Sequence, residues 1–222
     1  TIITNREFSM KNVVIISTEH RESGKCNSGE LFNIFKSIEP SVIFVEEPDD
    51  DKYHNYFSNE DALRPLEIQT IINYKENHDV THVPVDKPIN DYALYLLDSF
   101  TKFFKRFPEH RNLIRQHCSF RDRLGFNYLN SRNCLELNSK KLIIEKQLIT
   151  SSGQNKNDLM NLYNQFHQEV DDREKAMIEN ICSFAKIKNF KNAVFPLGYA
   201  HRETFRKKVK NDNRVNWTFF ND

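Results

Sequence analysis

Four short apolar runs recur along the chain, and helical patterns separate at least the first three of them. The runs occupy residues 13–17, 42–45, 80–85 and 193–197. Nearly continuous apolar blocks are typical of strands that are buried on both faces of a sheet. Because parallel strands need a long crossover, usually a helix, this order predicts an α/β fold with a mainly parallel central sheet flanked by helices.

The first crossover helix has signals at both ends. Asn27 and Glu30 have the spacing of a capping box, and Pro40 ends the pattern. Between them runs one apolar stripe, through Leu31, Ile34, Phe35 and Ile38. A second crossover helix is predicted to begin at Pro65, because proline suits the first helical position.

From about residue 90 to 187 the pattern becomes mostly helical, which predicts an insertion before the last core strands. A long helix is predicted over 158–187, and Arg173 falls on its apolar stripe. An arginine that faces a core is costly unless it is paired, so Arg173 should meet a carboxylate or a bound anion. The chain then returns to the sheet and ends with a short basic helix and an edge-like strand at 215–220.

The length of the chain is sufficient for one domain with a real core. At 222 residues and 26.4 kDa no second domain is required, and we predict a single domain over residues 10–222. Met10 resembles a native start. Residues 1–9 are therefore interpreted as a short leader or a remnant of cloning, outside the fold.

Charge and cysteine content narrow the classes of partner. Lys and Arg number 32 against 31 Asp and Glu, so nothing in the overall charge favours nucleic acid or a membrane surface. No stretch approaches the roughly 20 apolar residues of a membrane helix, and no signal peptide is visible. The cysteines are far apart and lack a Cys-x-x-Cys spacing: Cys26, Cys118, Cys134 and Cys182. We predict a cytoplasmic protein that acts on a small molecule or a peptide.

The candidate chemistry lies where the apolar runs end. Five titratable residues occupy such positions: His20, Glu46, Glu47, Asp86 and His201. In open α/β sheets, ligands bind beyond the carboxyl ends of the strands, so these side chains are expected to converge. The two histidines could share a divalent metal with a carboxylate and leave one position open for water. The simpler alternative is that each histidine caps a turn or bonds a loop.

The carboxylates and the arginine each admit more than one interpretation. Glu46 and Glu47 would point to opposite faces of a strand, so one of them is expected to enter the site. Asp86 could ligate a metal, orient a histidine, or pair with a neighbouring cation. Glu67 could serve in the site or merely complement a helix dipole. Arg173 could clamp a developing negative charge, or it could neutralise the acidic cluster.

Several common catalytic motifs are missing from the sequence. It contains no Gly-rich phosphate loop, no Gly-x-Ser-x-Gly turn and no motif for a cysteine nucleophile, and only five glycines are present. Nucleotide hydrolysis by a P-loop is therefore excluded.

The order of these motifs resembles the TraB/PrgY, GumN and Tiki superfamily, to which erythromycin esterases and haem-binding ChaN-like proteins are distantly similar. The resemblance covers nearly the whole chain, in five pieces: His20 with its preceding strand, Glu46-Glu47, Glu67 with Asp86, Asp172-Arg173, and Gly198-Tyr-Ala-His201. Ser17 departs from the glycine of the first Gly-x-x-His motif. The resemblance implies a metal-dependent hydrolase fold, with peptidase activity suggested for the Tiki branch.

The leading hypothesis is metal-dependent hydrolysis of a peptide or a small ester-like substrate. His20 and His201 would be metal ligands, and Glu46 or Glu47 a ligand or general base. The donor set admits manganese, iron, cobalt or zinc. Two alternatives remain: a non-catalytic module that binds haem or a small anionic ligand, and a regulatory domain that recognises a partner.

Overall fold

A parallel five-stranded sheet runs through the centre of the computed structural model, which describes residues 10–222. The prediction for residues 1–9 therefore lies outside the described residues. The strands are β1 (Asn12–Thr18), β2 (Val42–Val45), β3 (Thr81–Pro84), β4 (Asn192–Gly198) and β5 (Asn216–Phe219). All pairings are parallel, in the order β3-β2-β4-β1-β5. The predicted fold class is confirmed, and even the edge strand β5 is parallel.

Helices connect the strands and form the insertion. Their bounds are α1 (Ser28–Ile38), α2 (Asp51–Ser58), α3 (Leu66–Lys75), α4 (Asp91–Phe104), α5 (Pro108–Leu124), α6 (Phe126–Leu129), α7 (Arg132–Thr150), α8 (Lys156–Ile187) and α9 (Arg202–Val209). Short 3₁₀ turns occupy Gly153–Asn155 and Tyr199–His201. Among these residues, no helix is long and apolar enough to cross a membrane.

Helices cover both faces of the sheet because neighbouring residues of each strand point in opposite directions. Ile16 of β1 packs in a core with residues of α1 and α3, whereas Ile15 packs with residues of α8 and α9. Both side chains are fully buried. This explains why β2 and the middle of β1 are apolar at consecutive positions instead of alternating.

The insertion, α4 to α8, has a core of its own. It includes Phe100 and Phe104 of α4, Ile149 of α7 and Tyr163 of α8. Helix α8 has 32 residues and spans about 48 Å at 1.5 Å per residue. It therefore reaches from the outer core to the face of the sheet, where Met177 and Ile181 are fully buried.

Local signals set most of the helix boundaries. Asn27 Oδ1 accepts a hydrogen bond from Glu30 N at 3.0 Å, which caps α1 as its spacing predicts. Pro65 precedes the first helical residue of α3 instead of occupying that position. The acidic run after β2 also begins a helix, since Asp50 Oδ1 caps α2 by accepting from Tyr53 N at 2.8 Å.

Candidate functional site

The strand order brings the predicted site residues to one edge of the sheet. Strand β4 lies between β1 and β2, and β3 lies beside β2. The carboxyl ends of these four strands therefore meet, and they carry His20, Glu46, Glu47, Asp86 and His201. The side chains do not form one group, however, because the sheet separates them into two.

Five side chains on the α8 side form what we call the enclosed cluster: Glu46, Asp86, Arg173, Glu174 and His201. His201 lies at its centre, with Nδ1 2.7 Å from Glu174 Oε1 and Nε2 3.3 Å from Glu46 Oε1. The exposed fraction of the His201 side chain is 11%. Both ring nitrogens are therefore occupied by carboxylates of the protein.

The charged groups of the enclosed cluster stabilise one another's ionised forms. Burial alone would lower the pKa of His201, but Glu46 and Glu174 outweigh burial and raise it to about 9. Burial would likewise raise the pKa of Glu46, yet His201, His20 and the Gly198 amide lower it to about 2. His201 is thus a cation and Glu46 an anion at neutral pH, so neither is suited to accept a proton there.

Arg173 meets a carboxylate, as its place on an apolar stripe predicts. Its guanidinium binds Asp86 through two nitrogens, with Nε 3.0 Å from Oδ2, and Nη2 lies 3.6 Å from Glu46 Oε1. Asp86 is buried, and its Oδ1 also accepts a hydrogen bond from the Lys87 amide at 2.8 Å. Of the interpretations left open, the structure places Arg173 and Asp86 in a buried ion pair.

Glu174 is fully buried and carries no sequence signal beyond its position beside Arg173. Its Oε1 contacts His201 and also accepts from Thr204 Oγ1 at 2.6 Å, and its Oε2 accepts from Lys208 Nζ at 2.5 Å. These bonds hold the pKa of Glu174 below its ordinary value although burial opposes them. Lys208 of the basic helix α9 therefore offsets the charge of Glu174 from outside the enclosed cluster.

Three side chains on the α3 side form what we call the exposed cluster: His20, Glu47 and Glu67. His20 Nδ1 lies 3.3 Å from Glu67 Oε1, and the exposed fraction of the His20 side chain is 56%. Glu47 Oε2 lies 3.4 Å from Lys52 Nζ. All three side chains line one cleft, together with Glu46 and six mostly apolar neighbours, Phe44, Val45, Pro65, Ile68, Ile71 and Pro196.

The pKa shifts of the exposed cluster favour acid and base roles. Glu67 beside His20 raises the pKa of His20 to about 10. Burial raises the pKa of Glu47 above its ordinary value, and Lys52 offsets only part of this effect. A carboxylate with a raised pKa is a better base, and a protonated imidazole is a potential proton donor.

The directions of Glu46 and Glu47, which directly follow β2, explain the division into two clusters. Glu46 turns toward α8 and meets His201 and Arg173, whereas Glu47 turns toward α2 and meets Lys52. The prediction that the two point to opposite faces agrees with these contacts. Both side chains line the cleft, and the accompanying prediction that only one of them enters the site stays a prediction.

Gly198 and Ser17 occupy the first position of the two Gly-x-x-His motifs and have distinct structural roles. The Gly198 amide donates to Glu46 Oε2 at 2.6 Å, and a Cβ at this position would lie 3.3 Å from that oxygen. Glycine therefore permits the close approach of Glu46. Ser17 is fully buried, and its Oγ accepts from Arg202 Nη1 at 3.2 Å. The hydroxyl at Ser17 thus binds a buried arginine that a glycine could not.

The loop that carries His20 is fixed by the insertion. Glu19 accepts from Arg121 Nη1 at 2.7 Å and lies 3.2 Å from His117 Nε2, both on α5. Arg121 Nη2 also donates to Ser23 Oγ at 3.1 Å. The spacing of these residues, about 100 positions apart in the sequence, gives no hint of the contacts.

The donor types suit a divalent metal, but their arrangement does not. Within residues 10–222, no group of three His, Cys, Asp or Glu side chains is placed to hold one ion. His201 uses both ring nitrogens within the enclosed cluster, and His20 lies on the other side of the sheet edge. We therefore derive no step through a metal.

Comparisons with family models, with curated proteins and with solved structures found no match for this chain. The resemblance to the TraB/PrgY, GumN and Tiki superfamily accordingly stays a prediction from the motifs.

Proposed function

We propose that the chain is a hydrolase whose active site is the cleft lined by the exposed cluster, and that it acts on a peptide or a small ester-like substrate. The observation that carries the proposal is a single cleft that brings together His20, whose side chain is 56% exposed, and the partly buried carboxylate of Glu47. Glu47 is the natural base and His20 the natural acid at neutral pH. Paired groups of this kind are found at hydrolytic sites.

The roles follow from the chemistry of the two groups. Glu47 accepts one proton of a water molecule, whose oxygen attacks the carbonyl carbon of the substrate. His20 donates its proton to the leaving nitrogen or oxygen as the bond to that carbon breaks. The products are a carboxylic acid and an amine or alcohol, and transfer of the proton from Glu47 to His20 restores both groups.

His20 is suited to proton donation by its exposure. Its Nδ1 faces Glu67, and among residues 10–222 no protein group bonds Nε2. Nε2 is therefore free for a substrate. The enclosed cluster would act through Glu46, which touches both His201 and the cleft, so His201, Arg173 and Asp86 are assigned positioning roles.

The test is a hydrolysis assay with aminoacyl 4-nitroanilides and 4-nitrophenyl esters. His20→Ala and Glu47→Gln should each lower kcat by about 100-fold or more, the typical contribution of a general acid or base. His54→Ala is the matched control, since His54 is exposed and lies outside the cleft. Parent-like turnover in both cleft variants would overturn the proposal.

A divalent metal and a cytoplasmic location stay predictions beside this proposal. Elemental analysis of protein purified without chelator tests the metal, and one equivalent lost in both His20→Ala and His201→Ala would establish it. All four cysteines are free, which agrees with a reducing compartment.

The second candidate function is a ligand-binding or regulatory module. The observation that favours it is the pairing of Arg173 with Asp86, which leaves the guanidinium 16% exposed and little able to clamp a substrate. Stoichiometric ligand binding without turnover of any ester or amide would support this candidate.

A further inference from the structure

Glu67 is a buried carboxylate without a hydrogen-bond partner. Its side chain is 8% exposed, and neither oxygen has a hydrogen bond from any residue of the described chain. His20 Nδ1 lies 3.3 Å from Oε1, an ion-pair contact that raises the pKa of His20, but the contact lacks hydrogen-bond geometry and Oε2 has no partner. A buried carboxylate is costly unless a donor satisfies it, so Glu67 is an acceptor that still needs a donor.

The surroundings of Glu67 indicate the chemistry of that donor. Glu46 and Glu47 line the same cleft, but Glu46 is paired with His201 and Arg173 and Glu47 with Lys52, whereas only His20 lies beside Glu67. The remaining walls are apolar, from residues such as Phe44, Ile68 and Ile71. A ligand that fits this combination carries a positive charge with N–H donors on a small apolar body.

We propose that the cleft takes substrates with a free primary ammonium group, which Glu67 binds. The inference rests on the proposed hydrolase function and names its substrate class. An ammonium group supplies three donors and a compact charge, whereas a carboxylate supplies only acceptors. The two therefore form a charge-assisted pair that no neutral ligand would match.

The position of Glu67 also places the ammonium group relative to the bond that breaks. Glu67 lies beside His20, the proposed proton donor to the leaving group. An ammonium bound at Glu67 is thus within a few ångströms of the reacting carbonyl. The substrate class is amides and esters of amino acids whose α-amino group is free.

The experiment compares two substrates that differ only in this amine, alanine 4-nitroanilide and N-acetylalanine 4-nitroanilide. The parent should prefer the free amine in kcat/KM by about 10- to 100-fold, the contribution of one charge-assisted hydrogen bond. Glu67→Gln keeps the size of the side chain but not its charge, and it should reduce the preference to below about threefold. The readout is the ratio, which a general loss of activity does not change.

Three further measurements keep the result unambiguous. Glu67→Asp retains the charge and should retain a preference for the free amine. Glu60→Gln removes an exposed carboxylate outside the cleft and should behave as the parent. Thermal unfolding of each variant shows that the protein is folded.

The outcomes separate the inference from the function on which it rests. Equal hydrolysis of both substrates by the parent would overturn the inference and leave the hydrolase proposal standing. If neither substrate is hydrolysed, calorimetric titration with alaninamide decides the inference. Saturable binding that Glu67→Gln abolishes would support it, whereas no binding would overturn it, and the hydrolase function is decided separately by the panel of nitroanilides and nitrophenyl esters. Manganese bound at Glu67, with no preference for the amine, would also overturn it.

Discussion

At the scale of single residues, burial and charge separate groups of the same chemical type. His20 and His201 both follow strands and both face carboxylates, but His201 is enclosed and His20 is 56% exposed. Glu46 and Glu47 are adjacent, yet the pKa of Glu46 is lowered to about 2 and that of Glu47 is raised. These differences support the chemistry that we propose for His20 and Glu47 and the positioning roles that we propose for their counterparts.

The activity should depend on pH through these two groups. The proposed hydrolysis needs Glu47 deprotonated and His20 protonated, so kcat/KM should show a bell-shaped dependence on pH. The midpoint of the decline at high pH should lie near 10, the pKa of His20. The midpoint of the decline at low pH should lie above 4.5, the ordinary pKa of a glutamate. Glu67→Gln removes the main cause of the raised His20 pKa and should shift the alkaline limb toward 6.5. An alkaline limb that does not move would contradict the assignment of His20.

Glu174 should be important for stability because it is a fully buried carboxylate with three polar partners. Glu174→Gln takes one carboxylate from His201, which keeps Glu46, and one from Lys208, which keeps Asp171, so it should cost about 1.5–3 kcal/mol of unfolding free energy. Glu179→Gln on the same helix is the control. Glu179 is 63% exposed, and its pair with Arg214 should contribute little to stability because solvent screens it. Urea unfolding measures both, and equal losses would reject the role of Glu174.

At the scale of elements, the insertion fixes the loop that presents His20. The turn between α5 and α6 packs against this loop, backbone to backbone. Gly125 has φ +57, and a Cβ there would lie 2.4 Å from Lys25 O. Glycine at this position therefore allows the backbone of the insertion to contact the backbone of the loop. This contact fixes the position of the loop relative to the insertion.

Gly125→Ala should therefore destabilise the protein more than a glycine replacement in open space. Gly153 is the matched control, since it has φ +77 but no atom within 4 Å of the position that a Cβ would occupy. Both replacements introduce backbone strain, but only Gly125→Ala adds a clash, which should cost about 1–3 kcal/mol beyond the control. Denaturant titration of the two variants measures the difference. A loss no larger than that of Gly153→Ala would show that the contact is dispensable.

At the scale of the whole molecule, the enclosed cluster joins three strand ends to α8 and α9, so its ionisation should be visible in global stability. Glu46 has a lowered pKa, and its contribution is complete above 4.5 and is lost as pH falls through about 2. His201 has a raised pKa, and its contribution is complete below 6.5 and is lost as pH rises through about 9.

Stability from this pair should thus be greatest between about pH 4.5 and 6.5. Chemical denaturation across pH tests this, with His201→Gln as the comparison. The variant should be less stable near neutral pH, and its alkaline decline between 6.5 and 9 should be shallower than that of the parent. Parallel curves for the two proteins would place the titrating group elsewhere.

The sequence by itself determined the elements and the place of the site. Continuous apolar runs identify buried strands, and the helices between them require parallel pairing, so the carboxyl ends that carry His20, Glu46, Asp86 and His201 meet at one edge. Local spacing also sufficed for the cap at Asn27 and for the buried pairing of Arg173. These features depend on periodicity and on near neighbours, which a sequence states directly.

Only the tertiary structure decided which side chains contact one another. Placement of β4 between β1 and β2 brings His201 to Glu46, and the approach of α8 adds Glu174, which the sequence does not mark. The same packing places His20 beside Glu67 on the α3 side of the sheet edge, opposite the enclosed cluster. The reason is physical: pairing of groups more than 100 residues apart depends on strand order and on how helices pack, and both are set by the core as a whole.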